Sequence, residues 1–389
     1  MPFQRNRAVT LNSGEYYPAS LVADASSIYA GCESTHIVKI DKTALTRTAS
    51  LPTDIQVKEE SGCITPAYDF AYFGGSRVST NEIVKIKLSD FTIDSYGNYA
   101  LASMHGLKAD FTNNILLGGA YNTSVSSVYK INATTLIKIA ESANTGYSIG
   151  SFCAIDTISG YVYFYTNPST TASLTRCKIS DLSLTTIALY SNNPMTAMAI
   201  DTTNNLLYCS VGNQTIEVYD LTTFTLLTTI AGFSTNNTAM SIDVANRILY
   251  ACSTNSPVVI WRINTLTNAV IDSLTLNTGE NYAFSSLIDT TNKLLFVGTK
   301  TNPGRIVEVD VSASNPTLSD PLFSLLRIGF PVTDTDGNSY TYGTTDLGFV
   351  KRLENGTDFD GHAIDHEFHT GDILVGGSIF AESFIRNMK

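Results

Sequence analysis

Short apolar runs separated by turns rich in Thr, Asn and Asp occupy most of this chain, and no segment of useful length carries a helical period. The clearest example is Ala199-Ile200-Asp201-Thr202-Thr203-Asn204-Asn205-Leu206-Leu207-Tyr208-Cys209-Ser210. An apolar strand runs into Asp201, a polar stretch reverses the chain, and Leu206 begins the return strand. Thr and Tyr favour strands, whereas Asp and Asn favour turns because their side chains bond nearby backbone N–H groups.

The same unit recurs along the chain. One column is an Asp at the end of an apolar strand: Asp24, Asp69, Asp110, Asp156, Asp201, Asp243, Asp289 and Asp334. A second column lies in the return strand: Tyr29, Phe73, Leu117, Tyr163, Tyr208, Tyr250, Phe296 and Thr341. Members of the second column are 42 to 46 residues apart, and from the third copy onward the offset between the columns is seven. A third strand follows, as in His36–Asp41, Thr215–Asp220 and Val259–Asn264, and then a less regular fourth, such as Thr225–Ile230. Four short antiparallel strands per repeat of roughly 45 residues predict an all-β chain whose blades close into a β-propeller. Each blade is apolar on both faces, so a closed ring covers every one.

The copies predict eight blades, with seven as the alternative, because the eighth puts Thr341 where the others carry a large apolar residue. The predicted propeller spans 20–354. It follows an N-terminal arm, 1–19, and precedes a non-repeating C-terminal β arm, 355–389. Either Arg7–Leu11 or Ala363–Phe368 would supply the outer strand of the last blade. The arm is apolar near its end, and Ile373, Leu374, Val375, Ile379, Phe380, Phe384 and Ile385 are its candidate docking residues.

Composition narrows the function. Net charge is −11, which disfavours a nucleic-acid binder. No apolar run approaches the roughly 20 residues of a membrane span, and the basic start Met1–Arg7 lacks the apolar core of a secretory signal. The six cysteines form no close pair and fit buried thiols in a chain made in a reducing cytoplasm.

The regular polar features suit construction better than chemistry. An Asp in every copy is expected to cap its turn. The third strands carry Lys39, Lys85, Lys130, Lys178, Arg262 and Arg352, with Val218 and Glu308 as exceptions, a pattern expected of a solvated or blade-pairing position. A metal site would draw on His362, His366, Asp334 and Asp336. However, His369 faces away from His362 and His366 on an extended strand, and neither Asp-Gly loop has the downstream Glu of a calcium loop. No nucleophile elbow or phosphate loop is present, so no catalytic residue, cofactor or metal is assigned.

Asp201–Tyr208 with Ile216–Thr223, and Ala245–Ala251 with Ile263–Thr267, resemble the blade text of the YVTN and quinoprotein-like propellers. The Gly-His and Trp marks of WD40 repeats are missing, and Trp261 is the only tryptophan. Tyr342-Gly343, Phe349–Leu353, Asn355-Gly356-Thr357 and Thr370–Ile373 resemble the end of propeller regions in bacteriophage virion proteins. That resemblance implies a non-enzymatic, tail-associated part of hub, nozzle or adaptor type. It would be made in the host cytoplasm, assemble as a ring-forming homo-oligomer with other virion proteins, and reside in the virion. A carbohydrate- or receptor-binding propeller, recognising a host glycan, would show aromatic clusters in the loops of one face. A lactonase- or quinoprotein-type enzyme would line its central channel with Arg, His and acids, whereas Ser, Thr and Asn there would speak against catalysis.

Overall fold

The computed structural model describes residues 3–78, 82–101, 103–121, 126–145, 148–167 and 172–312, together with strands at 331–333, 339–344, 350–353, 373–375 and 378–380. The chain divides into two compact units, Met1–Ala313 and Ser314–Lys389. The boundary thus falls after the seventh sequence copy.

In the first unit every regular element is a strand. It opens with β1 (Gln4–Thr10). The first four-stranded group is β2 (Pro18–Ala23), β3 (Ser27–Cys32), β4 (His36–Asp41) and β5 (Thr46–Pro52). The second is β6 (Ile55–Ile64), β7 (Phe70–Arg77), β8 (Ile83–Lys87) and β9 (Thr92–Gly97). The third is β10 (Ser103–Asp110), β11 (Ile115–Tyr121), β12 (Ser126–Asn132) and β13 (Lys138–Glu141). The fourth is β14 (Ser148–Asp156), β15 (Tyr161–Asn167), β16 (Ser173–Lys178) and β17 (Leu184–Ala188). The fifth is β18 (Met195–Asp201), β19 (Leu206–Val211), β20 (Thr215–Asp220) and β21 (Thr225–Ile230). The sixth is β22 (Asn237–Asp243), β23 (Ile248–Ser253), β24 (Val259–Asn264) and β25 (Ala269–Thr275). The seventh has β26 (Ala283–Asp289), β27 (Leu294–Thr299) and β28 (Arg305–Asp310) from the C-terminal side, and β1 pairs antiparallel with β28 as its fourth strand. A single Ser76–Ser103 pairing joins the second and third groups into one eight-stranded sheet.

The described residues therefore form seven four-stranded groups where eight were expected. The eighth copy forms a three-stranded sheet, β29 (Pro331–Thr333), β30 (Ser339–Thr344) and β31 (Val350–Leu353), inside the second unit. Of the two candidate closing strands, the N-terminal one pairs; Ala363–Phe368 lies outside the described residues. The second unit also holds a hairpin of β32 (Ile373–Val375) and β33 (Ser378–Phe380).

Packing explains why the groups sit side by side. The first strands of successive groups touch in order, and β26 of the seventh also touches β2 of the first. Seven apolar clusters fill the seven junctions. Tyr208 meets Leu249 and Trp261 between the fifth and sixth groups, and Phe296 meets Leu21 and Ile28 between the seventh and first. Tyr29, Tyr163, Tyr208, Tyr250 and Phe296 are all at most 1% exposed. Each burial of an aromatic ring contributes on the order of 2–3 kcal/mol.

Two column members need correction. Tyr72, not Phe73, is the equivalent in the second group: it pairs with Lys85 as Tyr29 pairs with Lys39, and it packs into the junction with the third. Phe73 points the other way, close against Gly31 of the first group, where a Cβ would lie 2.7 Å from its ring. In the fourth group, Tyr163 pairs with Arg176, so Arg176 replaces Lys178 in the basic column.

Replacing Tyr208 with Ala is expected to cost about 3–5 kcal/mol in denaturant unfolding. Tyr208→Phe, which loses only the hydroxyl bond to the Thr265 carbonyl at 3.4 Å, should cost about 1 kcal/mol or less. Equal losses for the two variants would contradict the packing role.

Candidate functional site: the turn face, the inter-blade contacts and the central channel

The Asp column sits at the hairpin between the first and second strands of each group. Asp201 accepts the Asn204 backbone N–H at 2.9 Å and its side-chain amide at 2.7 Å. Asp110 with Asn113, Asp243 with Asn246 and Asp289 with Asn292 repeat this pair of bonds. Asp156 accepts the N–H groups of Ile158 and Ser159, and Asp24 those of Ser26 and Ser27. The turn then continues through Asn205, whose φ of 63° lies in the left-handed region that Asn tolerates. Burial alone would raise the Asp289 carboxyl, but bonds from Lys42 and Asn292 outweigh it and hold the group at about 2. These carboxylates are committed to their own backbone. Asp69 is the exception: it is exposed, and Thr65 Oγ1 accepts the N–H groups of Asp69 and Phe70 at 3.0 Å in its place. Asp334 lies outside the described residues.

The basic column holds adjacent groups together. Lys85 Nζ donates to the Thr134 carbonyl at 3.1 Å, and Lys130 Nζ to the Ile179 carbonyl at 2.9 Å, each in the next group. Arg176 reaches the Leu221 and Thr222 carbonyls at 3.5 Å and lies 4.7 Å from the Phe224 ring. Arg262 forks onto Asp272 and covers Phe3 at 4.9 Å. Where the seventh group has Glu308, the cation comes instead from Arg7 on β1, which binds Glu308 and the Thr43 carbonyl of the first group. Lys85, Lys130, Arg176 and Arg7 thus bind carbonyls of the next group and act as fasteners.

All seven first strands line a central cavity of about 320 Å³. Its hydroxyls are those of Ser20, Ser241, Ser285 and Ser286, and its apolar wall includes Met198 and Met240. Its charged lining residues are Glu60 and Lys108. Both stand at breaks in register: β6 slips between Val57 and Gly62, and β10 between His105 and Lys108. Glu60 has a φ of 53°, and Lys108 Nζ donates to its backbone carbonyl at 2.9 Å. Enclosure pushes the Glu60 carboxyl up to about 7, against the pull of Lys108 and of a bond from the Met198 backbone in the fifth group. Glu60 is half-buried and lines the cavity, where solvent moderates the penalty.

The cavity holds no activated nucleophile. Burial pushes the Cys153 thiol up to about 12, the opposite of what a thiolate needs, and Cys63 is likewise raised to about 12. The nearby His105 ring bonds the Ile149 carbonyl at 3.0 Å, and burial lowers its pKa. Among the described residues no three His, Cys, Asp or Glu side chains are placed to share a metal ion. All six cysteines are free thiols.

Sequence reasoning passed over Glu60 and Lys108. The signal was the run Lys58-Glu59-Glu60-Ser61, which interrupts a first strand that is mainly apolar in most other copies. His362, His366, Asp334, Asp336, Phe384 and Ile385 lie outside the described residues. Ile373, Leu374 and Val375 lie on β32, with Ile379 and Phe380 on β33, and Ile373 pairs with Phe380 in their backbone register.

No family model and no curated protein sequence matches the chain. Among solved structures it is similar to the WD40 beta propeller domain of Doa1, with a TM-score of 0.62 at 12% identity, over 81% of this chain and 98% of that one. At that identity the likeness shows fold alone. With the four-stranded antiparallel sheets described above, it defines the class: an all-β, β-propeller repeat protein.

Two measurements check these assignments. Asp201→Ala should cost about 1–2 kcal/mol in denaturant unfolding, and Asp69→Ala less than about 0.5 kcal/mol. The Glu60 carboxyl titrates above its ordinary 4.5, so the folded state retains a proton that the unfolded state loses. Its cost to stability is absent below about 4.5 and grows as pH rises to about 7. Glu60→Gln should therefore match the parent protein at pH 4 and exceed it by about 1–2 kcal/mol at pH 8.

Proposed function

We propose that this chain is a closed seven-bladed propeller that serves as a rigid, non-catalytic platform for protein–protein association. Its setting would be a bacteriophage virion, as a tail-associated hub, nozzle or adaptor. The observation that carries this reading is the central cavity. Serines and apolar side chains dominate its lining, its charged pair is tied to backbone, and its thiols are raised far from reactivity. Acids and cations elsewhere on the regular columns are spent on turns and fasteners, so the fold invests its polar groups in rigidity.

Closure by β1 supports the same view. A disc whose N-terminal strand completes its last blade opens only by stripping a paired strand, and its loops vary without disturbing the core. The segment 355–389 would then be the docking arm, presenting Ile373, Leu374, Val375, Ile379, Phe380, Phe384 and Ile385 to another virion protein. Ring assembly around a symmetry axis is the expected mode.

The test is co-expression with the structural proteins encoded beside it, followed by electron microscopy of the assembled particles. The full chain should enter particles in a symmetric ring. A chain ending at residue 354 should fold, judged by an unchanged thermal midpoint for the propeller, and be absent from particles. A full chain that stays monomeric and joins no particle would overturn the reading.

A further inference from the structure

Two loops that lead into first strands share one text. Leu11-Asn12-Ser13-Gly14-Glu15-Tyr16-Tyr17 precedes β2, and Leu276-Asn277-Thr278-Gly279-Glu280-Asn281-Tyr282 precedes β26. They also share one construction. Glu15 accepts the Asn12 N–H at 2.9 Å and the Arg47 Nε–H at 2.8 Å; Glu280 accepts the Asn277 N–H at 2.9 Å and the Arg5 Nε–H at 3.1 Å. Both glutamates are buried. Burial would raise Glu15, but its bonds from Arg47 and Asn12 outweigh that and hold it at about 2. Gly14 and Gly279 take φ of 89° and 87°, which admits the tight bend.

Each loop ends in a tyrosine with left-handed backbone, Tyr17 at φ 54° and Tyr282 at φ 56°. In the loops that enter the third and fifth groups, Ala100 and Asn192 hold such positions. Bulky residues there are uncommon and costly, by about 1 kcal/mol or more. The repeat thus departs from its own pattern in two adjacent groups, and it braces both departures with a buried Glu–Arg pair.

Lys300 stands between the two tyrosines. Its Nζ is 5.7 Å from the centre of the Tyr17 ring, 5.3 Å from Tyr282 and 4.5 Å from the buried Phe284. Tyr16 meets Tyr17 edge to face at 4.9 Å. Tyr16, Tyr17, Tyr282 and Lys300 are all half-buried. Glu33 borders the cluster: its backbone N–H donates to the Tyr17 carbonyl at 3.1 Å, and its carboxylate lies 3.7 Å from Lys58. Among the described residues Lys300 has no carboxylate within ion-pair distance.

We propose that Tyr17 and Tyr282, with Lys300 and Glu33, form a binding site for a neutral saccharide. The ring faces suit the apolar C–H face of a pyranose, and tyrosine keeps a polar edge in water. The ammonium and the carboxylate offer charge-assisted bonds to sugar hydroxyls, which are stronger than neutral ones. A cationic ligand is opposed by the Lys300 ammonium, which stands 5.7 Å from the Tyr17 ring centre and 5.3 Å from that of Tyr282 and would repel it. An anionic ligand is opposed by Glu33 and by the net charge of −11. The patch rests on two braced loops, so little ordering is needed on binding. This site is independent of the scaffold reading, which survives its failure.

The test titrates the full chain with glucose, galactose, mannose and N-acetylglucosamine, and with their neutral disaccharides, by saturation-transfer NMR and calorimetry. At least one should bind in the millimolar range or tighter. Tyr282→Ala should weaken it about tenfold and Lys300→Met several-fold. Tyr190→Ala, which removes a 74% exposed tyrosine from another loop, should leave it unchanged. Thermal midpoints within a few degrees show that the variants fold, and Lys300→Met alone decides if Tyr282→Ala does not. No binding across the panel, binding only of acidic sugars, or equal affinity in the folded variants would overturn the proposal.

Discussion

Every blade of this chain buries apolar side chains on both faces of its sheet, so none can stand without a neighbour on each side. That requirement organises the rest. The seven apolar clusters are all shared between adjacent groups, and none is private to one group. The contact of Phe296 with Leu21 and Ile28, together with β1 lying against β28, satisfies the requirement at the two groups that a linear array would leave uncovered.

Around this apolar frame the polar groups do repetitive mechanical work. Most of the Asp side chains close hairpins, and Lys85, Lys130 and Arg176 of the third strands bridge to carbonyls of the next group. Even the exception at Glu308 is repaired by Arg7 from the closing strand. With so many polar groups committed to structure, departures from the repeat carry the information about function. They are the register breaks that present Glu60 and Lys108 to the channel, the tyrosine loops before β2 and β26, and the second unit beyond residue 313.

Much of the fold was legible because its chemistry is local. An Asp that caps a turn three residues on, as Asp201 does, announces itself in any copy. Slips in alignment were harder to see. Lys178 and Arg176 are two residues apart and face the same side of a strand, so the period of two hides the error. Phe73 and Tyr72 are one residue apart and face opposite junctions, and the longer hairpin in which Thr65 replaces the Asp concealed that shift. The eighth copy was hard to place for a different reason. The eighth copy keeps enough of the pattern to form strands, yet the pattern does not say which sheet a strand joins, and the N-terminal strand takes the place beside β28. The shared text of the tyrosine loops was visible in the sequence but lies outside the repeat period, where a search for columns does not look.

The fourth strand of the seventh group matters most, since without β1 the β28 strand presents a free edge. Amide hydrogen exchange resolved to single residues tests this directly. The N–H groups of β1 that face β28, between Arg5 and Thr10, should be protected to the same degree as those of β28 itself, within about tenfold. Exchange of the β1 amides at the rate of an unstructured tail, with β28 remaining protected by β27 alone, would contradict it.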